Sequence, residues 1–216
     1  MSSERSVRAA YDAIARPYAE QFDQELAGKP LDRALLAAFL ELCGDGTVGD
    51  VGCGPGQVAR ALAERHPSVV GVDLSPEMIR AARRHGGRVR YVVGSMLALP
   101  IRDGAWAGMI AFYSIIHLTA DERGRAFREF ARVTRPGGPL LVAFHVDSPQ
   151  FAAGAVNHVT SWFGRPVDID GHYLHPEEVI EHARAAGGTL AARLDREPVP
   201  GAEHPSRRSY QLIRTG

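Results

Sequence analysis

Residues able to do chemistry gather at a few places in this chain. Asp50 and Asp73 stand at or near the ends of two apolar runs, and Gly52, Gly54 and Gly56 follow the first run at alternate positions. Glycine lets a backbone turn sharply and approach a ligand closely, because no Cβ intervenes. An acid about twenty residues further on, ending a second strand, is placed to accept hydrogen bonds from both hydroxyls of a ribose. Together these residues describe a pocket for an adenosine-type cofactor. His117 and His145 each follow a later apolar run, and a neutral imidazole can take a proton from a reacting group. Tyr11 and Tyr18 are seven apart, hence on one face if their segment is a helix.

These groups need elements to hold them. Residues up to about Ala27 carry apolar side chains at helical steps, and Pro17 should divide this stretch into two helices or bend one. Leu31–Leu42 repeats the helical pattern, stopped by Gly44. Strands and helices then alternate: Thr47–Val51, Ser68–Asp73, Arg88–Val93, Ala105–Phe112 and Leu140–His145 read as strands. Gln57–Arg65, Pro76–Arg84 and a segment from Thr119 to Val133 read as helices. Ser75-Pro76-Glu77 and Thr119-Ala120-Asp121-Glu122 are helix starts with the cap residue in place. Such alternation implies a parallel sheet covered on both faces. His175, as a cap, and Pro176 open a further helix ended by Gly187-Gly188. Thr189–Leu194 and Arg208–Arg214 are separated by a loop too short for a crossover, so they pair antiparallel at one sheet edge. Between Ser148 and Tyr173 there are only weak apolar clusters.

The chain has 216 residues with 25 basic and 25 acidic side chains, which suits one domain and gives no broad nucleic-acid or membrane surface. Its two cysteines, Cys43 in a helical pattern and Cys53 in the glycine loop, do not make a disulfide framework. Met1-Ser2-Ser3-Glu4-Arg5 lacks the apolar core of a signal peptide, so a soluble cytoplasmic protein is expected. His172 and His175 have too few companions at useful spacing for a metal site. Arg83-Arg84-His85 reads as a solvated helix end and Trp106 as core.

Asp50-Val51-Gly52-Cys53-Gly54-Pro55-Gly56 resembles the first motif of the class I S-adenosylmethionine-dependent methyltransferases. Asp73 matches that family's ribose acid. The region from Gly94-Ser95-Met96 to Pro100 is similar to its adenine-side loop, and Arg132-Val133-Thr134-Arg135-Pro136-Gly137-Gly138 to the turn before its fifth strand. Tyr11-Asp12, Ala15 and Tyr18 resemble the lid helix of its small-molecule branch. The resemblance covers nearly the whole chain and departs at Ser95, where many relatives carry an acid. It implies an α/β fold, Rossmann-like and doubly wound. The sheet would be mostly parallel and seven-stranded, with an antiparallel edge hairpin and an N-terminal helical lid. The expected segments are a lid (1–45), a cofactor core (46–147), a substrate-side insert (148–175) and a C-terminal helix with the hairpin (176–216).

The resemblance implies S-adenosyl-L-methionine as cofactor and a small-molecule methyl acceptor. The expected cofactor contacts are Tyr11, Tyr18, Asp50, Gly52, Cys53, Gly54, Gly56, Gln57, Asp73, Leu74, Met78, Ser95, Met96, Leu97 and Tyr113. His117 is the first candidate base, with packing against the cofactor or capping the next helix as its alternative; His145, next in line, is placed to bind substrate or to satisfy a loop carbonyl. Trp162-Phe163 is a candidate wall of the substrate pocket. A nicotinamide dinucleotide is the rival cofactor, but its fingerprint wants the third glycine one residue later. A cofactor-binding protein without methyl transfer is the other alternative.

Overall fold

A computed structural model describes residues 4–216. Met1, Ser2 and Ser3, part of the stretch weighed above as a leader, lie outside the described residues. In chain order the main elements are α1 (Glu4–Phe22), α2 (Pro30–Cys43), β1 (Thr47–Val51), α3 (Gln57–Ala63), β2 (Val69–Asp73), α4 (Pro76–Arg84), β3 (Arg90–Val93), β4 (Trp106–Phe112), α5 (Ala120–Val133), β5 (Pro139–Asp147), β6 (Val156–Trp162), β7 (Arg165–His172), α6 (Pro176–Ala185), β8 (Thr189–Arg196) and β9 (Arg207–Arg214). Seven strands form one sheet in the order β3-β2-β1-β4-β5-β9-β8. The first five run parallel, and β9 pairs antiparallel with both β5 and β8. The edge hairpin is therefore folded back, its second strand lying inside the sheet.

The parallel strands are apolar because helices cover both sheet faces. Every residue of β4 is buried. On one face Leu36, Phe39, Ala59 and Leu62 of α2 and α3 pack on Val48 and Ile110. On the other, Phe127, Phe130, Val133 and Val179 of α5 and α6 pack on Met109, Leu140 and Val142. Burying each large side chain contributes about 1.5–3 kcal/mol. The caps expected at Ser75 and Thr119 hold in atomic detail. Ser75 Oγ accepts from Met78 N at 3.1 Å, and Thr119 and Glu122 bond reciprocally at 3.3 and 2.9 Å. Trp106 is core, 2% exposed. Among the described residues no helix is long and apolar enough to cross a membrane.

One expectation is narrowed and two are corrected. Of the two outcomes expected at Pro17, the structure has a single helix, α1, running through it. The carbonyl that loses its partner there belongs to Ala13, which is exposed, so water can take it. The stretch from 148 to 175 contains an antiparallel hairpin, β6–β7, forming a separate two-stranded sheet. Finally, His175 occupies the cap position of α6 but makes no side-chain cap bond.

Candidate functional site

β1 and β2 end side by side, and the loop after β1 turns at the carboxyl end of the sheet. Gly52 has φ 72°, and a Cβ there would lie 2.2 Å from that of Ser114, so only glycine fits. Gly54 has φ 53° and open space where its Cβ would be. Its N–H donates to Asp73 Oδ2 at 2.8 Å, while Asp73 Oδ1 accepts from Ser75 N at 2.8 Å. Asp73 thus fixes the loop as well as facing a cavity of about 490 Å³, a size suited to a small molecule.

The cavity is lined by Tyr11, Tyr18, Asp50, Gly52, Cys53, Gly54, Gln57, Asp73, Leu74, Met96, Tyr113, His117 and His145 among the expected residues, and by Trp162. Four expected contacts are not on its wall. Gly56 caps α3 against the Tyr91 ring, where a Cβ would meet the hydroxyl at 2.3 Å. Met78 is fully buried with Ile14 and Ala15 beneath α1. Leu97 packs on the core. Ser95 spends its hydroxyl on Leu97 N, at 2.9 Å, and on the carboxylate of Glu4. Glu4 itself lines the cavity, so the first turn of α1 brings an acid to that position.

The electrostatics at the glycine loop are unusual. Asp50 is 2% exposed and its Oδ2 has no partner. Burial, with Asp73 nearby, pushes its carboxyl up to about 7, and burial raises Asp73 to about 6. Two adjacent acids held this way favour a positively charged ligand group between them. S-adenosylmethionine carries an ammonium and a sulfonium, and the open space at Gly54 leaves room beside the loop. The residues present fit that cofactor.

α1 closes the other side. It packs on α4 and β7, and Asp12 Oδ1 accepts from Ser75 Oγ at 2.5 Å and from Glu77 N at 3.2 Å. Tyr11, Tyr18 and Trp162 meet edge-on with centroids 5.6–5.9 Å apart. His117 Nδ1 donates to the Asp170 carbonyl of β7 at 2.8 Å. That carbonyl only accepts, so Nε2 carries the lone pair and takes the Tyr11 hydroxyl at 2.7 Å. Burial lowers His117 to about 4. His145 stacks on Tyr113 with centroids 4.9 Å apart and bonds Ser206 Oγ at 2.6 Å. Burial, then Arg208, brings it to about 3. Both imidazoles are neutral at ordinary pH.

Tyr113, at the end of β4, has φ 53°, a strained value for a bulky residue. Its hydroxyl is 2.8 Å from that of Tyr210. Tyr210 donates to Asp32 Oδ1 at 2.9 Å and accepts from Arg196 at 2.7 Å, so Tyr113 must donate to it. Lys29, Asp32, Glu203 and Arg208 also line this end. Sequence reading missed them because their pairing spans α2, β8 and β9, and no local spacing announces it.

Comparison with known proteins agrees with this geometry. A family described as "Methyltransferase domain" matches residues 48–138, from β1 to the turn before β5. A ubiquinone/menaquinone biosynthesis C-methyltransferase of Syntrophotalea carbinolica is 35% identical over 200 residues, covering 86% of this chain and 83% of that protein. A malonyl-[acyl-carrier protein] O-methyltransferase of Serratia marcescens is 36% identical over 92 residues, 43% of this chain, and the chain spans only 35% of its length. Among solved structures, a DhpI–SAH complex superposes with a TM-score of 0.75 at 23% identity over 99% of this chain and 97% of that one, which shows the fold. The glycine loop, the two acids, the strand order and a relative aligned over most of both chains lead to one conclusion: the chain belongs to the class I S-adenosylmethionine-dependent methyltransferase family.

Proposed function

We propose that the protein transfers a methyl group from S-adenosylmethionine to a small-molecule acceptor by in-line displacement. The observation that carries this reading is the buried Asp50–Asp73 pair at the ends of β1 and β2, beside the glycine loop on the cavity wall. The sulfonium supplies an activated methyl group. Asp50 and the backbone at Gly52 and Gly54 orient the amino-acid tail, and Asp73 takes the ribose hydroxyls. Leu74 and Met96 border the adenine, and Glu4 accepts from its amino group in place of the acid that Ser95 lacks. Tyr18, Trp162 and Tyr11 exclude water from the reacting end.

The proton route is inferred from the Tyr11–His117 pair. His117 Nε2 is occupied by a phenol, so it does not meet the acceptor directly. As the acceptor attacks, its proton passes to Tyr11 Oη while the Tyr11 proton moves to His117 Nε2. His117 is thus the final base and Tyr11 the group that touches substrate. His145 serves to hold Tyr113 rather than to take a proton. No observation favours a nicotinamide cofactor or a silent binding role.

A screen of metabolite classes for S-adenosylhomocysteine release tests the proposal, with calorimetry of cofactor binding beside it. Tight binding of S-adenosylhomocysteine with turnover of one acceptor class is expected. Preferential binding of NAD or NADP would overturn it.

A further inference from the structure

The two ring nitrogens of His117 meet partners of different kinds. The Tyr11 hydroxyl, 2.7 Å from Nε2, can donate or accept, so it suits either neutral form of the ring. The Asp170 carbonyl, 2.8 Å from Nδ1, can only accept. The carbonyl therefore decides which nitrogen carries the proton. A proton on Nδ1 leaves the Nε2 lone pair toward Tyr11, and a proton on Nε2 would remove it.

What holds that carbonyl lies outside the cavity. Asp170 belongs to β7, whose sheet contains only β6 and β7, and a two-stranded hairpin is marginally stable by itself. Its ladder is regular from Val156↔His172 to Val159↔Ile169 and shifts register before Ser161↔Pro166. His158↔Asp170 is the next-to-last pair before that break. Beyond the break, the tip holds Phe163 at φ 50°, where a bulky residue is strained. The ladder is thus interrupted close to the pair that presents the carbonyl.

A side-chain bond reinforces the ladder at this pair. His158 Nδ1 donates to Asp170 Oδ1 at 2.8 Å, and its Nε2 lies 3.7 Å from Asp168 Oδ1. Directly opposed side chains of this kind stabilise a strand pair. The Asp170 side chain is 10% exposed and that of His158 56%, so a surface imidazole meets a nearly buried carboxylate, where a hydrogen bond is worth more than between neutral groups. Their strand neighbours Asn157, Val159, Ile169 and Gly171 line the cavity, and His158 and Asp170 do not, as the alternation of a strand requires.

We propose that His158 and Asp170 are positioning residues for the base. Their cross-strand bond holds the Asp170 carbonyl on His117 Nδ1 and so fixes the tautomer whose Nε2 lone pair faces Tyr11. The inference rests on reading His117 as the base of the transferase.

Nitrogen-15 NMR of histidine-labelled protein reads the tautomer from the ring itself, with and without S-adenosylhomocysteine. The His117 signals are assigned by their loss in His117→Ala, at about pH 7, where a ring held at about 4 is neutral. The wild type should carry its proton on Nδ1. His158→Ala and His158→Leu both remove the donor. Whichever of them melts as a folded protein should shift the His117 ratio toward the Nε2–H form by at least about fivefold, with S-adenosylhomocysteine affinity unchanged. His158→Asn, whose amide can stand where Nδ1 stood, should keep the wild-type ratio. A contact that only stabilised the hairpin would lower the melting temperature without moving the ratio. A wild-type His117 protonated on Nε2, an unmoved ratio in a folded variant, or no rescue by asparagine would each overturn the inference. The spectra need no turnover, so the two readings fail separately: full activity in His117→Ala would remove the base role, whatever the tautomer.

Discussion

The Tyr11 hydroxyl lies 2.7 Å from His117 Nε2 across a sequence separation of 106 residues. With Nδ1 committed to the Asp170 carbonyl, one imidazole joins the lid, the loop after β4 and the β6–β7 hairpin. Tyr11→Phe and His117→Ala should each lower turnover by about a hundredfold and leave S-adenosylhomocysteine affinity nearly unchanged. Because the two act in series, the double variant should be little worse than either single one. Additive losses in turnover would show that they act separately.

The pH profile follows from the same ring. Burial holds His117 at about 4, so the base is neutral above that value. Turnover should fall only as pH drops through about 4, with no limb near the ordinary 6.5. A limb near 6.5 that His117→Ala removes would contradict the buried, neutral imidazole.

Asp50 leads to a prediction about cofactor binding. Its carboxyl sits at about 7 in the protein without cofactor. The folded state therefore holds an extra proton between the ordinary carboxylate range and about 7. Cofactor-free protein should lose stability as pH rises through that window. A cationic ligand group favours the carboxylate, so affinity should rise with pH over the same range and binding should release a proton. Calorimetry in buffers of different protonation enthalpy measures that proton. Affinity independent of pH from about 5.5 to 8 would remove Asp50 from the contact.

Asp12 ties the lid to the start of α4 through Ser75 Oγ and Glu77 N. Asp12→Ala should weaken lid docking by about 1–2 kcal/mol and speed amide exchange along α1, with the sheet unaffected. Unchanged exchange in α1 would mean that burial of Ala10, Ile14 and Ala15 suffices to hold it.

Glu4 reaches the Ser95 hydroxyl at the expected adenine end. Glu4→Gln should reduce S-adenosylhomocysteine affinity by about three- to tenfold, and an N6-dimethylated analogue should not distinguish variant from wild type. Equal losses for both ligands would assign Glu4 to lid packing instead.

The core was legible because its signals are local. In Val69–Asp73 an unbroken apolar run ends in an acid, and the caps at Ser75 and Thr119 act within a few residues. The β6–β7 hairpin was not legible for a physical reason. It packs one face on α1 and leaves the other in water, yet Val156 points outward and Asn157 inward, and a register shift between Val159 and Ser161 interrupts the alternation. Pro17 left one helix or two open in the sequence, and α1 stays whole because the Ala13 carbonyl is exposed and can bond water instead. In the site, the glycine loop and Asp73 could be read from spacing. The Tyr11–His117 contact and the Asp32–Arg196–Glu203 cluster could not, since long-range closure alone creates them. At Ser95, where many relatives carry an acid, the nearest carboxylate is that of Glu4, bonded to the Ser95 hydroxyl from the start of α1, a contact 91 residues apart in sequence that no local spacing announces.

The placement of β9 inside the sheet gives the protein an order of assembly. A chain emerging from the ribosome has the glycine loop, Asp73 and all five parallel strands before β8 and β9 exist. Arg208 and Tyr210 belong to β9, and Arg196 and Glu203 to β8 and the loop between the strands. The residues of the glycine loop are therefore synthesised well before those of the cavity end lined by Glu203 and Arg208. Until β9 pairs with β5 and β8, the end of the cavity that Arg208 lines has no wall.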